Sequence, residues 1–139
     1  MVDQNCAYCM EGELVAKFGI KICELETSKV YLFKEQSHPG RCIVAHKKHV
    51  GDMNELTAEE RAAYFEDVAR VARAIMKAFN PDKVNYGAYG DTGHHLHFHL
   101  CPKYKDEYEW GGVFLMNPDK KYLTDEEYAA MIEKIKAKL

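Results

Sequence analysis

The chain has 139 residues, 47% hydrophobic and 29% charged, with a formal net charge of −3. That length suits one domain with a real core, and the composition is that of a globular rather than a disordered chain. The acidic balance supplies no basic field for nucleic acid, and no apolar run approaches the ~20 residues that span a bilayer.

The chain opens on Met1-Val2-Asp3-Gln4-Asn5-Cys6, without the basic and apolar regions of a secretory leader, so a cytoplasmic location is expected. Cysteines stand at 6, 9, 23, 42 and 101, an odd count that argues against a disulfide framework. Cys6-Ala7-Tyr8-Cys9 has the spacing of half a zinc site. Two more ligands must then come from elsewhere, with His49 and a later strand histidine as candidates. A redox pair would sit at the end of a strand in a βαβ unit, whereas this pair precedes every predicted strand. Two unrelated thiols remain the alternative. Cys23, Cys42 and Cys101 fall in strand runs and are expected to be buried structural residues.

Three runs rich in β-branched and aromatic residues read as strands: Val15 to Leu25, Lys29 to Lys34 and Arg41 to Lys47. Ser37-His38-Pro39-Gly40 is a turn signal between the last two. Lys47-Lys48 could meet an anionic ligand, but a solvated pair explains it as well. Thr57-Ala58-Glu59-Glu60 is a capping box. It opens a long helix whose stripe of Tyr64, Val68, Val71, Ala72, Ile75, Met76 and Phe79 predicts a core face. Asn80-Pro81-Asp82 ends it. Residues 83–89 and 94–102 read as two further strands around a Gly90-Asp91-Thr92-Gly93 turn. A second capping box, Thr124 to Glu127, starts a final helix with Tyr128, Met131, Ile132, Ile135 and Leu139 on its apolar side. Strands, a packing helix, strands and another helix make an α+β domain.

Four of the seven histidines fall within six residues, His94-His95-Leu96-His97-Phe98-His99. Alternate strand residues share a face, so His95, His97 and His99 should line one side, with Leu96, Phe98 and Leu100 in the core. His94 is expected to play only a local structural role. Clustered imidazoles gain nothing from packing and repel when protonated, so a purely structural account is weak. Two chemistries suit them. A His-x-His pair can supply two metal ligands, which could make a catalytic metal with water as nucleophile. Neutral imidazole is also a good nucleophile near pH 7, and imidazolium is a good leaving group from phosphorus. The 90–93 turn can offer backbone N–H groups and a hydroxyl to an anion, which favours a phosphate over a carbonyl substrate.

His95-Leu96-His97-Phe98-His99-Leu100-Cys101 resembles the His-φ-His-φ-His-φ-φ motif of the histidine-triad (HIT) family of nucleotide hydrolases and transferases, φ being apolar. Pro39 to His49 resembles the family strand that runs from a Pro-Gly turn to a histidine. Asn85-Tyr86-Gly87 followed by Gly90-Asp91-Thr92 is a third match in the right order. These matches cover about residues 6 to 103, leaving 104–139 as a C-terminal extension of a single HIT domain. The resemblance implies a meander sheet of antiparallel strands with one long central helix and a C-terminal helix, usually as a homodimer. It implies a purine nucleotide substrate, with His97 as nucleophile at the α-phosphorus and His99 as its partner at the phosphate. Substrates would be nucleoside phosphoramidates, dinucleoside polyphosphates or related nucleotides. Asn85, Asp91 and Thr92 match positions lining the phosphate site, and Glu35 matches an acidic position that holds the ribose hydroxyls. Members with an N-terminal cysteine pair imply a structural zinc on Cys6, Cys9, His49 and His95. A non-catalytic nucleotide sensor is the competing function.

The chain also departs from the family pattern. Asp91 stands where many members have glutamine, Arg41 where a histidine is common, His46 where proline is common and Lys103 where arginine is frequent. A carboxylate at 91 would disfavour a polyphosphate leaving group. Trp110 would pack in the core, at a dimer interface or near the leaving-group pocket.

Overall fold

The computed structural model describes residues 2–139. Two short helices, α1 (Ala7–Met10) and α2 (Gly12–Ala16), precede β1 (Gly19–Glu24), β2 (Ser28–Phe33) and β3 (Cys42–His46). The long α3 (Ala58–Phe79) follows, then β4 (Lys83–Gly87), β5 (His97–Lys103) and α4 (Asp125–Lys136). All strand pairs are antiparallel, in the order β1-β2-β3-β5-β4. The first three strands meander. The α3 crossover then lets β5 pair with both β3 and β4, which puts the histidine strand inside the sheet and leaves β4 at an edge.

The two sheet faces have different coverings. One carries Val30, Leu32, Val44, Leu96 and Leu100 against Val71 and Ile75 of α3 and Tyr128 and Ile135 of α4. Burying such side chains contributes roughly 1.5–3 kcal/mol each. Capping boxes start both long helices, Thr57 with Glu60 and Thr124 with Glu127, each worth about 1 kcal/mol. α3 stops where Asn80 turns left-handed at φ 49° and Pro81 cannot continue the helix. Gly40, at φ +95°, brings the turn before β3 against the end of α3; a Cβ there would meet Phe79 at 2.7 Å. Asp67 of α3 accepts from Thr27 N, Thr27 Oγ1 and Ser28 Oγ at 2.7–2.9 Å, clipping the β1–β2 turn to the helix.

The other face is covered only in part. Tyr8 and Val15, from α1 and α2, pack there on Tyr31, Phe33, Ile43 and Ala45. The first strand therefore starts at Gly19, not at the expected Val15. Glu11 and Gly12 take positive φ values, and the turn they make sends Val15 into the core as a helical residue. β4 ends at Gly87 instead of 89, and β5 begins at His97 instead of 94. Leu96 still bonds to Val50 O and His46 N, but the 94–96 backbone leaves the ladder to turn His95 towards the N-terminus.

Residues 104–124 form an irregular strap beside this face. Lys103 Nζ donates to Glu109 O and Gly112 O at 2.8 and 2.7 Å. The Glu109 carboxylate accepts from Leu115 N and lies 2.6 Å from His38 Nε2. Trp110 is 40% exposed, so it packs outside the core. Cys42 and Cys101 are buried and Cys23 is half-buried.

Candidate active site

A cleft of about 910 Å³ lies between the N-terminal helices and the strap. His97 and His99 form its floor, Phe33 and Phe114 line its walls, and the Gly90–Gly93 turn forms one rim. β3–β5 register puts His97 opposite Ala45 and His99 opposite Ile43. The histidines thus share the sparsely covered face, as parity predicts. Their rings are 5.5 Å apart, nearly edge to face.

His97 Nδ1 lies 2.6 Å from the carbonyl of His95. A carbonyl can only accept, so Nδ1 carries the proton and Nε2 keeps the lone pair. Burial holds the imidazole below its usual pKa, which keeps that lone pair available. The Tyr8 ring covers His97 at 4.9 Å and also touches His95 at 5.3 Å. His99 is pushed down to about 2, first by burial, then by the Arg41 cation and His97. Arg41 donates to His99 Nδ1 through Nη2 at 3.0 Å and Nε at 3.3 Å.

Cys6, Cys9, His49 and His95 meet at the other end of the histidine segment. Their ligand atoms all lie within 4.8 Å of one another and could hold a metal ion. Cys6 Sγ is 3.3 Å from His95 Nδ1, Cys9 Sγ is 3.3 Å from His49 Nδ1, and the two Nδ1 atoms are 3.1 Å apart. Tetrahedral bonds of ~2.3 Å to sulfur and ~2.0 Å to nitrogen place such donors about 3.3–3.8 Å apart, so these three short separations are near what zinc requires. His95 Nε2 donates to His46 O at 2.6 Å. That bond leaves Nδ1 free for a metal, the usual way an outer partner orients a ligating histidine.

A family model described as HIT domain matches residues 19–106. The chain belongs to the HIT family. Over 97% of its length it is 27% identical to an adenosine 5'-monophosphoramidase of Schizosaccharomyces pombe, covering 98% of that protein. A bis(5'-adenosyl)-triphosphatase of Dictyostelium discoideum is 28% identical over about half of each chain, 51% of both. The fold matches a histidine-triad protein of Sinorhizobium meliloti with a TM-score of 0.84, at 23% identity and 92% and 95% coverage of the two chains. A zinc-bound histidine-triad protein of Mycobacterium smegmatis matches with a TM-score of 0.67, at 21% identity and 95% and 94% coverage.

The HIT fold brings most of the predicted site residues to the cleft, though not all in the expected posture. Asp91 and Thr92 are exposed on its rim. Asn85 lies outside the lining, half-buried on β4 opposite Cys101. Gly87, two residues on, is the one that faces His99. Glu35 lines the cleft but is only 2% exposed. Its carboxylate accepts from Ser37 N, Ser37 Oγ, Lys120 N and Lys121 N at 2.7–2.9 Å. Those bonds fill most of a carboxylate's ~4 acceptor positions and hold its pKa down. Glu35 therefore clasps the strap. His94 is exposed, its ring laid so close to Gly51 that a Cβ there would come within 2.1 Å.

Sequence reasoning missed two contributors. Tyr8 sits between the cysteines, and only the folded helix shows that it stacks on the triad. Arg41 registered as a departure from the pattern, with nothing to show that it would be wholly buried against His99.

Proposed function

We propose that this HIT protein hydrolyses or transfers at the α-phosphate of a nucleotide through a nucleotidyl-His97 intermediate. The observation that carries this reading is the bond from His97 Nδ1 to the His95 carbonyl, which leaves Nε2 as a lone pair beside the cleft. His97 Nε2 attacks the α-phosphorus, a P–N bond forms, and the bond to the leaving group breaks. His99 contacts the phosphoryl group as charge redistributes, and the departing atom takes up a proton from solvent water, to which the attacking water of the second step returns one. Water then attacks phosphorus, the P–N bond breaks, and a nucleoside monophosphate leaves with the His97 lone pair restored. Thr92 and the 90–93 turn would contact phosphate oxygens from the rim.

The named activities of the relatives, on a phosphoramidate and a dinucleoside triphosphate, support an adenine nucleotide as substrate. Asp91 on the rim favours a short or weakly charged leaving group over a long polyphosphate. With its carboxylate engaged by the strap, Glu35 enters as a wall-forming residue in place of a ribose acceptor. Asn85 enters at most as a support for the strand that carries Gly87.

Cys6, Cys9, His49 and His95 would hold a structural zinc, which supplies a crosslink between the N-terminus and β5. Four protein donors leave no open position for an attacking water, and His97 is not among them. That supports imidazole over metal-bound water as nucleophile. The five free cysteines suit a reducing compartment such as the cytoplasm, and no helix among the described residues is long and apolar enough to cross a membrane. A homodimer belongs to the same reading, with the β4 edge and exposed Tyr86 and Tyr89 as surface to cover.

The test is product analysis with adenosine phosphoramidate, diadenosine triphosphate and a nucleotide sugar, comparing wild type with His97→Asn. Release of AMP from at least one substrate by wild type, with the variant binding but not releasing, is expected. Equal release by both proteins overturns the reading. Nucleotide binding with no turnover of any substrate supports a sensor instead.

A further inference from the structure

Arg41 is 0% exposed and lies immediately before β3, beneath the cleft. A buried cation is expensive unless its surroundings answer its charge. Its hydrogen bonds among the described residues all go to neutral acceptors. Nη1 donates to Leu115 O at 3.0 Å, and Nη2 to Met116 O at 2.9 Å and to His99 Nδ1 at 3.0 Å. Two aromatic faces complete the enclosure, Phe33 at 4.2 Å and Phe114 at 4.7 Å from the guanidinium carbon. Tying down the strap needs only the two carbonyl bonds. The fork to His99 remains to be explained.

An arginine side chain does not give up its proton in a protein and can only donate. His99 Nδ1 must therefore be the acceptor, and the single ring proton of a neutral His99 must sit on Nε2. Among the described residues that atom has no hydrogen-bond partner, and the only buried unpartnered side-chain nitrogen or oxygen is His46 Nε2. His99 Nε2 thus opens on the cleft that the residue lines. The neighbouring imidazole is held the other way round, with its proton on Nδ1 against the His95 carbonyl. Adjacent rings consequently offer the cleft a lone pair and an N–H.

We propose that Arg41 is a positioning residue for the transfer site. Its guanidinium fixes His99 as the Nε2–H tautomer and polarises that N–H towards the phosphoryl group. The inference rests on the nucleotidyl-transfer reading for its catalytic consequence, but not for the tautomer. A charged donor bonded to the far nitrogen strengthens the near N–H as a donor. His99 thereby supplies a strong hydrogen bond without becoming an imidazolium, whose second N–H would point into the guanidinium. The same cation anchors Leu115 and Met116, so the wall of the cleft and the tautomer of its floor are set by one side chain.

The experiment is two-bond ¹⁵N–¹H correlation of the histidine rings in the zinc-loaded protein, paired with kinetics. Wild-type His99 should show a single Nε2–H tautomer. Arg41→Met should mix the tautomers and lower kcat about 10²-fold, the size of losing one well-aimed donor, with KM changed by less than ~3-fold. Arg41→Lys keeps the charge without the fork and should fall between wild type and Arg41→Met in both readouts. If Arg41→Met does not fold, the Lys comparison alone decides. A wild-type His99 protonated on Nδ1 overturns the proposal, as does a variant that folds with an unchanged tautomer and unchanged kcat. A wild-type protein that turns over no nucleotide refutes the transfer reading, while the ring spectrum still decides the role of Arg41.

Discussion

His95 and His99 are four residues apart and chemically identical, yet the two ends of the segment meet different surroundings. At the cysteine end, the His46 carbonyl accepts from Nε2–H and leaves Nδ1 facing the Cys6 and Cys9 sulfurs. At the Arg41 end, the guanidinium occupies Nδ1 and leaves Nε2–H to the cleft. Between them, the His95 carbonyl accepts from His97 Nδ1–H and leaves an Nε2 lone pair. The partner behind each ring, a carbonyl or a cation, decides what the ring can do in front. Residue type brings the histidines to one place, and their outer partners separate their roles.

The sharpest way to break the comparison is to remove the middle ring. His97→Ala should lower turnover at least ~10³-fold, because no neighbour presents an imidazole lone pair to the same spot. Steady-state release of nucleoside monophosphate measures this. A variant with activity near wild type would make the segment's division of labour untenable.

The metal end should fail differently. Chelation, or Cys9→Ser, should lower the melting temperature by roughly 10 °C, since metal affinity at such a site is folding free energy. Activity should be lost in parallel with folding and regained on refolding with zinc. Immediate loss of activity with an intact melting transition would point to a metal that takes part in the chemistry.

Stability against pH sharpens the comparison at the Arg41 end. Unfolded His99 takes up a proton near pH 6.5, whereas in the fold it does so only near 2. The folded state is therefore fully favoured above pH 6.5, and that contribution is lost progressively as the pH falls below it. One such group steepens the decline by about 1.4 kcal/mol per pH unit. Urea unfolding of wild type and His99→Asn at pH 7.5, 6.5 and 5.5 should show that difference in slope, and parallel curves would contradict it. Using the difference removes the contribution of metal-ligand protonation, which both proteins share.

The smallest effect belongs to the rim. Asp91→Gln removes an exposed negative charge, worth about 1 kcal/mol at 4 Å in water. A roughly 5-fold gain in kcat/KM for diadenosine triphosphate relative to the phosphoramidate is expected, shrinking at high salt.

Strand parity made the shared face of His97 and His99 legible, and the spacing of Cys6 and Cys9 did the same for half of the cysteine–histidine group, because each depends on local geometry. The capping boxes at Thr57 and Thr124 were legible for the same reason. Arg41 was not. An arginine at a strand start reads as a surface residue until Leu115 and Met116 arrive to enclose it. The strap contacts of Glu35 were hidden for a related reason, since they run to backbone N–H groups of Lys120 and Lys121, which leave no mark in sequence. Tyr8 and Val15 carry ordinary aromatic and β-branched signals, and only packing against the triad face gives them their place.

The most direct measurement is peptide mapping by mass spectrometry after base quenching of zinc-loaded protein during turnover. A base-stable, acid-labile nucleotidyl adduct should appear on His97, and be absent from His97→Ala. An adduct on His95 or His99, or full turnover by the variant with no adduct, would contradict the account.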